Sequence, residues 1–328
     1  MQFSSVEAPK QAHALAVADA LAGSANGVAL GRLGALGAWI AAAQGRDVPA
    51  PFARPRAIVV AGNHGIATRG VSAWTADAGA VRAAELEAGA GPAQAAARAS
   101  GASVRLIADY LDAPTGAIDV EAAVPREVWD AALAAGAEVA DHEIDAGADL
   151  IVPGDIGVGN TTVAAALYGT FTRTEPVKAV GRGSGVNDEV WKVKTAAVRD
   201  AMFRVRSFRD DTERVCAELS GPDFAFLAGF IAQCAARRTP VLFDGPYPAT
   251  AAYVAERLAP GTRGWLLAAQ RTDEPAHEGC LQALELTPVA DLGIKTGQGA
   301  GALAVLPQLN LAAELVGEVV TGGSSIRD

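Results

Sequence analysis

One stretch limits what this chain can fold into more than any other: residues 149–167, DLIVPGDIGVGNTTVAAAL. Its first four residues make a short apolar run with the character of a buried strand, and residues 161–167 are small and apolar like a packed helix. Between them stand Gly154, Gly157 and Gly159, then Asn160, Thr161 and Thr162 where helix-capping residues belong. A loop of this kind lets the backbone approach a ligand closely, and the N–H groups of a helix start lack intrahelical partners and point at an anion. The simplest ligand is a phosphate, held at Gly157, Gly159, Asn160 and Thr161. Neither common phosphate loop is spelled out here: no Lys closes a Walker-type turn, and GxGxxG is not matched in register. The plain alternative is a strand-to-helix turn with an Asn/Thr cap.

The same alternation runs along most of the chain. Residues 56–61 (RAIVVA), 103–108 (SVRLIA), 177–180, 239–243 (TPVLF) and 264–269 (GWLLAA) read as further strands. Residues 76–99, 126–145, 188–204 and 223–237 read as helices. This predicts an α/β fold, a doubly wound and mainly parallel sheet, with a smaller helical domain built from both chain ends. Residues 1–50 carry a helical hairpin (7–22 and 28–43) closed off by Pro49, Pro51 and Pro55; 51–305 form the α/β domain; 306–328 supply a last helix, 307–320, and a frayed end, 321–328. Ligands of such sheets bind outside the carboxyl ends of the strands. The polar and Gly-rich clusters at 62–65, 154–160, 181–185, 244–245 and 270–272 all fall at that edge, which predicts one shared pocket.

Charge narrows the partner. The chain carries 27 Lys and Arg against 37 Asp and Glu, a net charge of −10, and the basic residues form no stripe, so no nucleic-acid partner is expected. An anionic substrate then needs a local cluster of cations and N–H groups. Three cysteines without CxxC spacing indicate neither a zinc site nor a disulfide framework. No secretory pattern opens the chain and charge interrupts the apolar runs, so the expectation is a cytoplasmic protein with no membrane partner.

Lys194 lies about two turns into the helix after 181–185 and is placed to reach a phosphate on the Gly157 loop; the alternative is a solvated helix lysine. Lys192, two residues away, faces elsewhere. His64, between a strand end and Gly65, is expected at the pocket rim, holding a base or a ribose, or else packing as an ordinary loop histidine. His277 starts a helix and reads as structural. In residues 295–301 (KTGQGAG) a second Gly-rich turn presents Gln298, which both donates and accepts but cannot act as a general base near neutral pH.

Taken in order, LGRLGALGAWI (30–40), AGNHGIATRGVSAW (61–74), GDIGVGNTT (154–162), GRGSGVND (181–188), GPDFAFLAGF (221–230), PVLFDG (240–245), AAQRTDEPAH (268–277) and GQGAGALA (297–304) resemble the nicotinate-nucleotide:dimethylbenzimidazole phosphoribosyltransferases over nearly the whole chain. The resemblance implies phosphoribosyl transfer from nicotinate mononucleotide to a benzimidazole-like aromatic base for the lower ligand of cobalamin, by a homodimer that needs no metal and no cofactor. It further implies that Gly157, Lys194 and Thr272 hold the 5′-phosphate, that Asp155 lies near the ribose, and that His64 and Ser72 face the acceptor base. Gln298 stands where the family's glutamate acts as general base, Asn63 where Asp is usual and Asp155 where Glu is common. The loop between Asp109 and Pro125 is also shorter than the family pattern. The amide at 298 implies slow transfer; the alternative is a nucleotide- or riboside-binding homologue that senses ligand or modulates an active paralogue.

Overall fold

In the computed structural model, which describes residues 2–322, β1 (Pro55–Gly62) sends Ala57, Val59 and Ala61 to one face and Ile58 and Val60 to the other, all five buried. A strand apolar in both phases of its period-2 repeat must be covered by helices on both faces. The sheet built on it adds β2 (Ser103–Tyr110), β3 (Leu150–Ile156), β4 (Val241–Phe243) and β5 (Leu266–Ala268), in the order β2-β1-β3-β4-β5 and parallel throughout. Val59 is paired with Leu106 on one side and Gly154 on the other. Pro153 sits inside β3 because its missing N–H falls on the β4 side, where the ladder is a single pair, Ile151 with Val241.

Helices Arg126–Asp145, Asn160–Thr172, Pro222–Ala236 and Pro246–Leu258 bury Trp129, Leu133, Val163, Phe226 and Tyr247 against one face of the sheet. Arg32–Gln44, Ala78–Glu87, Gly91–Ser100 and Ala300–Gly322 bury Ile40, Leu86, Ala97 and Leu303 on the other. A small third cluster joins Val17 and Leu21 of helix Gln11–Ala22 to Ala41 and Val316. Gly37 permits that contact, since a Cβ there would lie 2.4 Å from a Val316 methyl.

The elements depart from the sequence expectation in places. Residues 177–180 are not a strand: Pro176–Ala179 is one helical turn with Pro at its first position, where a missing N–H costs nothing. The helix expected over 76–99 is two, Ala78–Glu87 and Gly91–Ser100, parted at Gly89 and Gly91 with φ of 78° and 85°. The last helix begins at Ala300 and carries Pro307 inside it. It is long and apolar enough by length and composition to cross a membrane, against the reading that charge breaks every apolar run. Its Leu303, Leu306, Leu309 and Val316 are covered by the chain itself. Of the end expected to fray, Thr321 and Gly322 close this helix, and 323–328 lie outside the described residues.

Candidate active site

After β1 the chain crosses to β2 on one side, and after β3 to β4 on the other, so the segments leaving these adjacent strands diverge. A crevice at this switch point is where an open parallel sheet binds its ligand. A cleft of about 830 Å³ opens there, floored by Asp155, Gly157–Thr161 and Gly183–Gly185 and walled by Trp74, Arg82, Asp244, Tyr247 and Lys295.

The floor is built to receive an anion. Helix Asn160–Thr172 starts after Gly159, which has φ 97° and provides no capping side chain; the N–H groups of Asn160 and Thr161, both lining the cleft, have no partner among the described residues. A Cβ on Gly157 would lie 2.2 Å from the Asn160 Oδ1 and 3.1 Å from the Gly62 carbonyl oxygen, so a side chain there displaces Asn160. Asn160 Nδ2 donates to Asp155 Oδ2 at 2.6 Å. Asp155 is half-buried, and its loss of water contact raises its pKa, an effect opposed by that hydrogen bond and the Arg82 charge without being cancelled.

Lys194, on helix Asp188–Val205, is 1% exposed and donates to Thr161 Oγ1 at 2.6 Å and the Gly181 carbonyl at 3.4 Å. Among the described residues no carboxylate lies within ion-pair distance of it, and burial pulls its pKa down to about 8 against the attraction of Glu274. Glu274 instead accepts from the Gly183 N–H at 2.6 Å, fixing the loop. Lys192 is exposed and paired with Glu189 at 3.0 Å.

The remaining expected residues are dispersed. Ser72 lines the cleft, its hydroxyl 3.2 Å from that of Ser184. Thr272 stands behind the floor, buried, with Oγ1 2.9 Å from His277 Nδ1. His277 is itself buried, its pKa lowered to about 4 by burial. His64 is not at the rim, as the sequence suggested, but 2% exposed behind Gly159. Its Nε2 is 3.3 Å from Asp223 Oδ2, which also accepts from the Tyr247 hydroxyl at 2.7 Å. Gln298 is fully buried in a left-handed conformation, φ 61°, between Gly297 and Gly299. Its Oε1 accepts from Ala93 N–H at 3.4 Å and its Nε2 has no partner among the described residues. Gly297 of that turn lines the cleft; the Gln298 side chain does not.

Several groups here had no role assigned from the sequence, although Asp244 lay in a cluster expected at the pocket edge. Asp244 accepts from Gln270 Nε2 and the Gly301 N–H, and burial lifts its pKa to about 7; its place in a strand-end Asp-Gly was the available signal. Arg82 lies 5.7 Å from the Trp74 ring centroid and donates to the Thr296 carbonyl. Helix Ala78–Glu87 thereby presents a cation and Glu85 to the cleft, which no spacing in the sequence announces.

A phosphoribosyltransferase family model matches residues 6–325. The nicotinate-nucleotide–dimethylbenzimidazole phosphoribosyltransferase of Corynebacterium glutamicum is 46% identical over 90% of this chain and 86% of its own length. The protein of that name from Corynebacterium efficiens is 48% identical over 89% and 82%. Among solved structures, CobT from Thermus thermophilus superposes with a TM-score of 0.87 at 31% identity, covering 93% of this chain and 95% of that one.

Proposed function

We propose, for a chain that belongs to the nicotinate-nucleotide–dimethylbenzimidazole phosphoribosyltransferase family, transfer of the phosphoribosyl group of nicotinate mononucleotide to a benzimidazole-like base. The products are an α-riboside 5′-phosphate, destined for the lower ligand of cobalamin, and nicotinate. The observation that carries this reading is Lys194: a buried ammonium without a carboxylate partner, beside an uncapped helix start and a glycine loop. A buried cation left unpaired is costly, and a phosphate at Thr161 and Gly183 removes that cost.

In this reading Gly157, Gly159, Asn160, Thr161 and Lys194 hold the 5′-phosphate, with Thr272 supporting them from behind. Asp155 meets the ribose with the oxygen that Asn160 leaves free. Ser72, Trp74 and Val81 receive the aromatic base. The leaving nitrogen departs as a neutral pyridine nitrogen, so the donor half needs no acid, and catalysis rests on positioning and electrostatics. The three buried free thiols suit a reducing cytoplasm. We take the working form as a homodimer without metal or cofactor, its α/β unit at 51–305 and its small helical unit at 1–50 and 306–328.

The test is a product assay with nicotinate mononucleotide and 5,6-dimethylbenzimidazole. Riboside phosphate and nicotinate should appear in equal amounts. Failure to release nicotinate with any benzimidazole overturns the reading.

A further inference from the structure

Transfer to a neutral benzimidazole leaves one proton to be placed. One ring nitrogen gives its lone pair to C1′, the bond from C1′ to the pyridinium breaks with its pair returning to nicotinate, and the other ring nitrogen gives up its N–H proton. The two nitrogens lie on opposite edges of the five-membered ring, so a group beside C1′ cannot serve the N–H. The base has to stand on the far side of the acceptor from the ribose.

Four carboxylates line the cleft: Glu85, Asp155, Asp244 and Glu274. Three are engaged at the floor or back wall, Asp155 by Asn160, Asp244 by Gln270 and the Gly301 N–H, and Glu274 by the Gly183 N–H. Glu85 alone has no hydrogen bond or ion pair to its carboxylate among the described residues, and it is solvent-exposed. Gly79, at the start of the same helix, comes within 3.9 Å of the Gly157 Cα, measured from where its Cβ would be. Six residues further on, Glu85 stands about 9 Å away along the helix axis, at the end remote from the phosphate. It lies over the start of helix Gly91–Ser100, since a Cβ on Gly91 would be 3.4 Å from its Oε2, while Gln298 packs under that start at Ala93.

We infer that Glu85 is the proton acceptor for the acceptor base, taking the N–H proton as the new C–N bond forms and passing it to water. The inference rests on the transferase reading above. It puts a carboxylate on the acceptor's outer edge although position 298 holds an amide.

The test compares Glu85→Gln with the wild type on two acceptors, dimethylbenzimidazole and 1-methylbenzimidazole, which has no N–H to lose. Glu85→Gln should lower kcat with dimethylbenzimidazole at least about tenfold and leave both transfer to 1-methylbenzimidazole and the affinity for nicotinate mononucleotide unchanged. An unchanged kcat with dimethylbenzimidazole overturns the inference, as does an equal loss with both acceptors, which marks a structural role. Wild-type protein inactive on both acceptors defeats the transferase reading itself, and the inference with it.

Discussion

Two lysines two residues apart on one helix have opposite surroundings. Lys194 is enclosed with Thr161 and the Gly181 carbonyl, whereas Lys192 pairs with Glu189 in solvent. Lys194→Ala should therefore weaken binding of nicotinate mononucleotide by about ten- to a hundredfold, the worth of one charge-assisted bond, and Lys192→Ala by less than about threefold. Because burial lowers the Lys194 pKa to about 8, the free protein loses that charge as pH rises through 8. Calorimetric affinity should then decline between pH 7 and 9 in the wild type and stay flat in Lys194→Ala. Parallel pH curves would contradict the phosphate role. The register of a helix was enough to separate these lysines from the sequence. His64 was not legible in that way, because whether its imidazole turns out to the cleft or in to Asp223 depends on a helix brought beside it only by the fold.

At the level of elements, glycine decides how closely helices meet. Helices Arg126–Asp145 and Pro222–Ala236 touch backbone to backbone: a Cβ on Gly136 would lie 2.0 Å from the Phe226 carbonyl oxygen, and one on Gly229 2.1 Å from that of Leu133. Backbone cannot yield as a side chain can, so Gly136→Ala forces the pair apart. The expected cost is about 1–3 kcal/mol, read as a lower Tm, with the affinity for nicotinate mononucleotide retained because neither glycine lines the cleft. A Tm within about 1 °C of the wild type would mean that the helices separate without loss. Four of the five strands were legible as apolar runs bounded by turn residues, and the edge strand β2, in which only Ile107 is buried, by its alternating SVRLIA. Val177 and Val180 imitated a strand by composition, and helix Pro246–Leu258 was not among the expected helices; its Pro246 and Pro248 lie in the first turn, where a missing N–H costs nothing. Helix Thr212–Leu219 was hidden in a charged stretch.

For the molecule as a whole, the strand-end clusters foretold one ligand edge, but not that a charged pair would lie buried behind it. His64 follows β1, Asp223 lies on helix Pro222–Ala236 and Tyr247 on helix Pro246–Leu258, so this cluster ties the central strand to two helices of one face. Burial works against charge on both members. Their mutual attraction prevails, holding the His64 pKa above and the Asp223 pKa below their ordinary values. The His64 contribution is thus complete below its unfolded pKa of about 6.5 and fades as pH rises through the higher folded value; that of Asp223 is complete above about 3.9 and fades as pH falls through the lower folded value. Taken as the difference in unfolding free energy between the wild type and His64→Gln/Asp223→Asn, the pair should contribute most between about pH 4 and 6.5 and less on either side. His64→Gln alone strands a buried carboxylate and should cost roughly 3–5 kcal/mol, with the double variant losing less than the two single losses added. Urea unfolding across this pH range measures all three variants. Strict additivity together with a flat pH difference would show that the two groups pack side by side without being coupled.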